Sequence, residues 1–450
     1  MKQSNRATIL LGAIISCFIG FYNGYPLVYP DTGSYLSSGF SGEIPMDRTI
    51  FYGLFARHVS ISASPWLIVF VQGLISSWIL HVTFGMFFAG NKRNLIFLGA
   101  LTFITLTTGY SFNVSILIPD IFSPIALLCL INLLFNSQLR KSRIIIVSLI
   151  FIFSISTHLS NIPTFMFLLL ILLFYSFTQK IRKKTISIGI KKILYPLYLL
   201  LFVLILVPSV HSLIGNKFQY SSASHVFMVN HLIECGVMEQ YLDDKCENSD
   251  FKICDYKNNL GWNFIWDEES ALYKTGGWVE NRNEYNRILS EIYSTPKYWP
   301  ILAQKTIEYS VKQFFTFDIS EYAPQLYGSA PFGQIDWRFH DSVREYLSSK
   351  QNNNKLDVQL TNSIQVFVMF FSLIIAFAMI YYSYFTSQLS LEFKWVLIIL
   401  LVYGILNSVV CSNLSTVDPR FQNRWIWILP VIVIIGLIKF YEKKHVSNNT

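Results

Sequence analysis

The long hydrophobic stretches of this chain are joined by segments that alternate between lysine- and arginine-rich and nearly free of cations. One set holds Lys2 and Arg6, Lys92 and Arg93, Arg140, Lys141 and Arg143, the cluster from Lys180 to Lys192, Lys394, and Lys439, Lys443 and Lys444. Against these 17 cations stand only Glu392 and Glu442, a net of +15. Every other acid falls in the alternate set, which carries −1 over its short segments and −6 over one long segment, making up the chain's +8. Cytoplasmic loops keep their cations during membrane insertion, so the alternation predicts a multi-pass protein with both termini inside.

A mean hydropathy of +0.42, with 52% hydrophobic and 14% charged residues, excludes an ordinary soluble domain. About ten apolar runs approach the length needed to cross roughly 30 Å of hydrocarbon as helices. They lie near 8–30, 65–90, 95–111, 117–136, 143–157, 163–179, 193–212, 363–386, 394–411 and 424–441. The fifth is short, and the third and fourth are split only by the polar stretch Gly109–Asn113. Lys2 and Arg6 before an apolar run resemble a signal peptide, but hydrophobicity continues past Cys17 to Phe21, which predicts an uncleaved first span. The expected fold is therefore an all-α polytopic membrane protein. Seven spans in residues 1–212 precede an α-rich extracytoplasmic insertion at 213–362, and three spans follow in 363–450. The basic pI of about 9.0 reflects this topology and anionic lipid headgroups, with no nucleic acid as partner. The expected setting is a bacterial inner (cytoplasmic) membrane.

The insertion carries Cys235, Cys246 and Cys254, and Cys411 lies near the outer end of the ninth run. An oxidising exterior permits one or two disulfides among these four, with the pairing open. Cys17 and Cys129 lie inside helices. Helical patches are expected around Val279–Tyr293 and Ile301–Phe314. Trp262, Trp266, Trp278, Tyr285, Trp299 and Trp337, interleaved with Asn and Asp, suit carbohydrate binding or rest on the membrane. The chain contains no internal repeat, no zinc-ligand spacing and no phosphate-cradling glycine loop.

Chemistry concentrates on the cation-poor side. Asp31 follows Pro30 just after the first run, and Asp120 follows Pro119 at the opening of the fourth. Carboxylates at the edge of hydrocarbon need partners, and two converging on one cavity can take a hydroxyl proton or hold a divalent cation. Helix capping is the bland alternative for both. Asp47, a further catalytic candidate, and Arg48 open a second segment of the first loop that is expected to be helical. Arg48, Arg57, Arg420 and Arg424 are the only cations in the short outer loops, where a guanidinium can grip phosphate bidentately. Salt bridges such as Asp418 with Arg420, or snorkelling beside Trp425 and Trp427, are the ordinary alternatives. His58 and His158 are candidate proton shuttles; His225 and His231 are weaker ones.

The aspartate after the first span, the second outer acid near spans three and four, and the seven spans before a large outer insertion resemble the GT-C superfamily of polytopic glycosyltransferases. That superfamily includes protein O-mannosyltransferases and aminoarabinose transferases. The resemblance implies transfer of a sugar from a polyprenyl-phosphate donor to an envelope glycan or glycolipid, with the lipid bilayer as a further partner. It implies Asp31 as base, Asp120 as its partner or a metal contact, and Arg48, Arg420 and Arg424 as phosphate ligands. Asp31-Thr32 stands where several members carry paired acids, which leaves a divalent cation open. Two other classes fit the topology: an O-antigen-type polymerase and a glycolipid flippase. The near absence of charge in mid-span weighs against the latter.

Overall fold

The computed structural model describes residues 2–182, 188–215, 217–261, 263–385 and 389–448. Lys183, Lys184, Trp262 and Thr386 fall outside them. Of the described residues, 77% are helical. The first apolar run breaks at Cys17 into α1 (Lys2–Ser16) and α2 (Phe18–Asn23), and the loop after it holds α3 (Pro30–Ser41) and α4 (Phe51–Ser60). There follow α5 (Pro65–Phe84), α6 (Gly90–Thr107), α7 (Tyr110–Ser115), α8 (Phe122–Phe135), α9 (Lys141–Ser156), α10 (Asn161–Ile181) and α11 (Ile190–Gly215). The insertion contains α12 (Ser224–Glu234), α13 (Val237–Lys245), α14 (Ala271–Lys274), α15 (Gly277–Glu280), α16 (Arg282–Ser294), α17 (Trp299–Phe315), α18 (Ala330–Arg338) and α19 (Val343–Ser348). α20 (Gln359–Phe385), α21 (Leu391–Leu414), α22 (Pro419–Ile426) and α23 (Ile428–Asn448) close the chain.

Local chemistry sets the helix starts. Ser64 caps α5 by accepting from the Trp66 N–H, with Pro65 at the first position. Asp418 caps α22 in the same way through the Arg420 N–H, ahead of Pro419. Pro30 opens α3, which ends at Gly42 in the left-handed region with φ +79°.

Among the described residues six segments are long and apolar enough to cross a membrane: α5, α10, α11, α20, α21 and the joined α22–α23. The other four apolar runs fall short of that measure. The first is split at Cys17, α6 begins with the polar stretch Gly-Asn-Lys-Arg-Asn, and α8 and α9 have only 14 and 16 residues. At 1.5 Å per residue the latter two reach roughly 21–24 Å. The six also differ in position. About 67% of α5 and α21 is buried inside the protein, against 22% of α20. Phe367, Phe371 and Phe377 of α20 are more than half exposed, a surface that needs hydrocarbon around it.

One core unites the membrane helices, with α1 on α5 and α6, α8 on α9, and α10 on α11 and α21. The insertion divides in two. Its first part has its own core, built on Val229, Met238, Tyr241, Tyr285, Ile288 and Ile292. Its second part, through Ile319, Phe332, Ile335 and Tyr346, joins the membrane core. α17 links the two by lying along α21. The Cys246–Cys254 disulfide staples the first part, while Cys235 and Cys411 are free and buried. Of the aromatics, Trp266, Trp299 and Trp337 are exposed, but Tyr285 is wholly buried and presents no binding face. His225 and His231 are buried as well, each packed against a tyrosine ring.

Candidate functional site

The loop after α2 is stitched to the connector after α7. The Leu27 N–H donates to the Ser115 carbonyl at 2.9 Å, and the Leu117 N–H to the Leu27 carbonyl at 2.9 Å, making an isolated parallel bridge between Leu27 and Ile116. Gln351 holds the same segment from the insertion side. Its Oε1 accepts from the Val28 N–H at 3.1 Å, and its Nε2 donates to the Val28 carbonyl at 2.8 Å. Gln313 does the same for Asp418, donating to its carbonyl and accepting from its N–H, both at 2.9 Å. Two glutamine side chains thus act as backbone clamps, and Asp31, Asp120 and Arg420 converge.

Arg420 lies between the two carboxylates. Its Nη1 donates to Asp31 Oδ2 at 2.9 Å, and its Nε stands 3.3 Å from Asp120 Oδ2. The second contact is an ion pair without hydrogen-bond geometry, so neither Asp120 Oδ2 nor Arg420 Nε makes a hydrogen bond. Arg48 reaches Asp31 from the other side, its Nη2 3.1 Å from Oδ1, and also clasps Asp47 through Nε at 2.9 Å and Nη2 at 2.5 Å. Burial disfavours ionisation of Asp31, but the Arg420 and Arg48 guanidiniums outweigh it and hold the carboxyl down at about 2. Tyr29 and Tyr35 lie under the Arg420 and Arg48 guanidiniums at 4.8 Å each.

Arg424 is fully buried and has no carboxylate partner among the described residues. Its Nη2 donates to Asn407 Oδ1 at 2.7 Å and to Ser160 Oγ at 3.1 Å, while Nε and Nη1 have no partner. Ser160 Oγ also meets His158 Nδ1 at 2.9 Å. Burial, then the charges of Arg424, Arg420 and Arg48, push the His158 pKa well below the ordinary value, so its imidazole is neutral. Asn423 adds another unpartnered atom, Oδ1, and packs so closely on Gly109 that a β-carbon there would come within 2.2 Å of it. A cavity of about 10 Å³, room for a single water, opens on Asp120, Arg420, Asn423, Asn113, Tyr29, Ser320 and Tyr322.

The structure thus gathers Asp31, Asp47, Asp120, Arg48, Arg420, Arg424 and His158 at one end of the bundle. Arg57 and His58 stay outside. Both are exposed on α4, where Arg57 reaches only the Gly39 carbonyl at 3.4 Å and His58 the Leu54 carbonyl of its own helix. The segment holding Asp47 and Arg48 is not helical, because the Met46 carbonyl is taken by the Ser222 N–H and the Ser221 hydroxyl. Asp418 does not pair with the Arg420 guanidinium; it caps α22 instead. Sequence reasoning missed Ser160, Asn407, Asn423 and the two clamping glutamines, none of which stands out by charge or period.

A divalent cation fits this donor set poorly. Among the described residues no three His, Cys, Asp or Glu side chains converge on one point, and both Asp31 oxygens are engaged by guanidiniums. The sequence matches no protein-family model, and no match is found among curated proteins or solved structures.

Proposed function

We propose that this chain is a membrane glycosyltransferase that moves a sugar from a polyprenyl-phosphate donor to an envelope glycan or glycolipid at the extracytoplasmic face. The observation that carries the reading is the set of unsatisfied buried nitrogens on Arg48, Arg420 and Arg424 beside two carboxylates. Unpaired buried donors are costly, and a phosphate supplies the acceptors they lack. Their position also supports it: they lie at the end of the bundle remote from Lys92, Arg93 and Arg143. On this reading all ten apolar runs cross the membrane. The short α8 does so surrounded by protein, with nearly every residue buried. The Cys246–Cys254 disulfide suits an insertion outside the cytoplasm.

The acceptor oxygen attacks the anomeric carbon as the bond from that carbon to the phosphate oxygen breaks. The phosphate leaves with the bonding pair, and Arg420 and Arg424 stabilise its growing charge. The acceptor proton passes to a carboxylate, and we assign that base to Asp120 in place of Asp31. Asp31 has both oxygens saturated by arginine hydrogen bonds and a depressed basicity, whereas Asp120 lines the cavity and its Oδ2, ion-paired with Arg420 Nε, accepts no hydrogen bond. Asp31 positions the two guanidiniums. Since the cavity holds only a water, substrate entry displaces the irregular segment bearing Ser320 and Tyr322. The test is mass spectrometry of envelope glycans from a deletion strain complemented with wild type, Asp120→Asn or Arg424→Gln. A sugar absent in the deletion and both variants supports transfer, loss of chain length alone points to a polymerase, and unchanged glycans overturn the reading.

A further inference from the structure

A second charged pocket lies at the opposite end of the bundle, where α5 ends and α6 and α9 begin. It encloses about 90 Å³, several times the space of one water. Arg93, Arg143, His81, Gln138 and Gly85 line it. Lys92, the neighbour of Arg93, is paired with Glu442 at 2.5 Å, but neither Arg93 nor Arg143 has a carboxylate within 4 Å among the described residues. Arg93 Nε is buried and unpartnered. Arg143, more exposed, stands at the mouth.

The local backbone sharpens the imbalance. α6 and α9 both point their N-termini at this end, without a side-chain cap and without an acid in the first turn. Helix N-termini carry partial positive charge and favour anions, so guanidiniums placed there add charge of the same sign. Gly85 keeps the wall open: a β-carbon on it would lie 3.3 Å from Arg93 Nη1. The geometry points to a phosphate-binding site, in which Arg93 and Arg143 clamp a phosphate monoester or diester at the basic end of the bundle. This site stands apart from the reading of the Asp31–Asp120 cluster. A phospholipid headgroup and a soluble phosphate share the required chemistry, and the size of the pocket admits either phosphate.

The full-length protein in nanodiscs tests it through thermal melting. Discs of phosphatidylcholine alone are compared with an equal mixture of phosphatidylcholine and phosphatidylglycerol, each with and without added inorganic phosphate. Stabilisation by phosphatidylglycerol identifies a lipid headgroup; stabilisation by inorganic phosphate in phosphatidylcholine discs identifies a soluble ligand. In either case Arg93→Gln/Arg143→Gln weakens the apparent affinity by at least about tenfold, the loss expected when charge-assisted hydrogen bonds are removed. Arg140→Gln/Lys141→Gln, which removes two exposed charges from the same helix start, leaves it unchanged. Equal loss in both pairs, or no stabilisation of wild type by either probe, overturns the site. Arg93→Lys keeps the charge and retains part of the response, which separates ligand loss from misfolding.

Discussion

Leu27 and Ile116 pair in parallel, and each stands four residues ahead of an aspartate. From the bridge onward the two segments read alike, Val28-Tyr29-Pro30-Asp31 and Leu117-Ile118-Pro119-Asp120. One backbone register therefore sets both carboxylates against Arg420. A single-residue slip in paired extended segments turns every following side chain to the other face. Inserting one glycine after Leu117 is expected to abolish the proposed sugar transfer. It is also expected to abolish short-linker crosslinking between Asp31→Cys and Asp120→Cys. Crosslinking as efficient as in the uninserted pair would show that the bridge sets no register.

Asp31 makes an acid-dependent contribution to stability. Its carboxyl titrates at about 2 in the folded protein against an ordinary 3.8. As pH falls the unfolded chain takes up this proton first. The ionised group thus stabilises the fold fully above about pH 4 and loses that contribution as pH drops through 2. The difference corresponds to about 2 kcal/mol. Melting curves of purified protein across this range should fall more steeply for wild type than for Asp31→Asn. Parallel curves would mean that Asp31 is not held by Arg48 and Arg420.

Arg424 is anchored by Asn407 and Ser160 through one nitrogen, which leaves Nε and Nη1 for a ligand. A lysine ammonium is a point charge and cannot keep both anchors while presenting a planar fork. Arg424→Lys should therefore lower the transfer rate by about a hundredfold, the usual loss when one oxyanion donor is removed. The rate with saturating donor is the quantity to measure. Near-wild-type turnover in the lysine variant would remove Arg424 from the proposed phosphate site.

Much of this arrangement is legible in residue types. Prolines before Asp31, Asp120 and Arg420 mark helix starts, and cations scarce on one side draw the eye to Arg48, Arg420 and Arg424. The helical patches expected in the insertion correspond to α16 and α17, displaced by a few residues. Other features leave no such trace. Trp425 and Trp427 have the composition of an interfacial belt, yet both are buried. The Trp425 indole N–H bonds to Gln422 and that of Trp427 to the Arg424 carbonyl. Gln351 and Gln313 clamp backbone far away in sequence, and an amide side chain carries no periodic signal for such a contact. Cys17 divides the first run into α1 and α2 without a proline or glycine at the break, a division the apolar pattern does not announce.

The division of labour between the carboxylates gives the sharpest kinetic test. Asp120 lines the cavity and its Oδ2 accepts no hydrogen bond, and an acid in that place can accept the acceptor's proton only if it starts ionised. On the proposed mechanism Asp120→Asn removes the base and keeps the shape. It should lower turnover by about a hundredfold to ten-thousandfold, with donor affinity nearly intact. Asp31→Asn instead frees two guanidiniums that its oxygens hold 2.9 and 3.1 Å away. Donor affinity should then weaken through misplaced arginines, with the smaller effect on turnover. Steady-state kinetics in membranes with a synthetic polyprenyl-phosphate sugar separates the two. If Asp31→Asn loses turnover and Asp120→Asn loses only affinity, the roles are reversed, and the saturated carboxylate must shed an arginine when substrate binds.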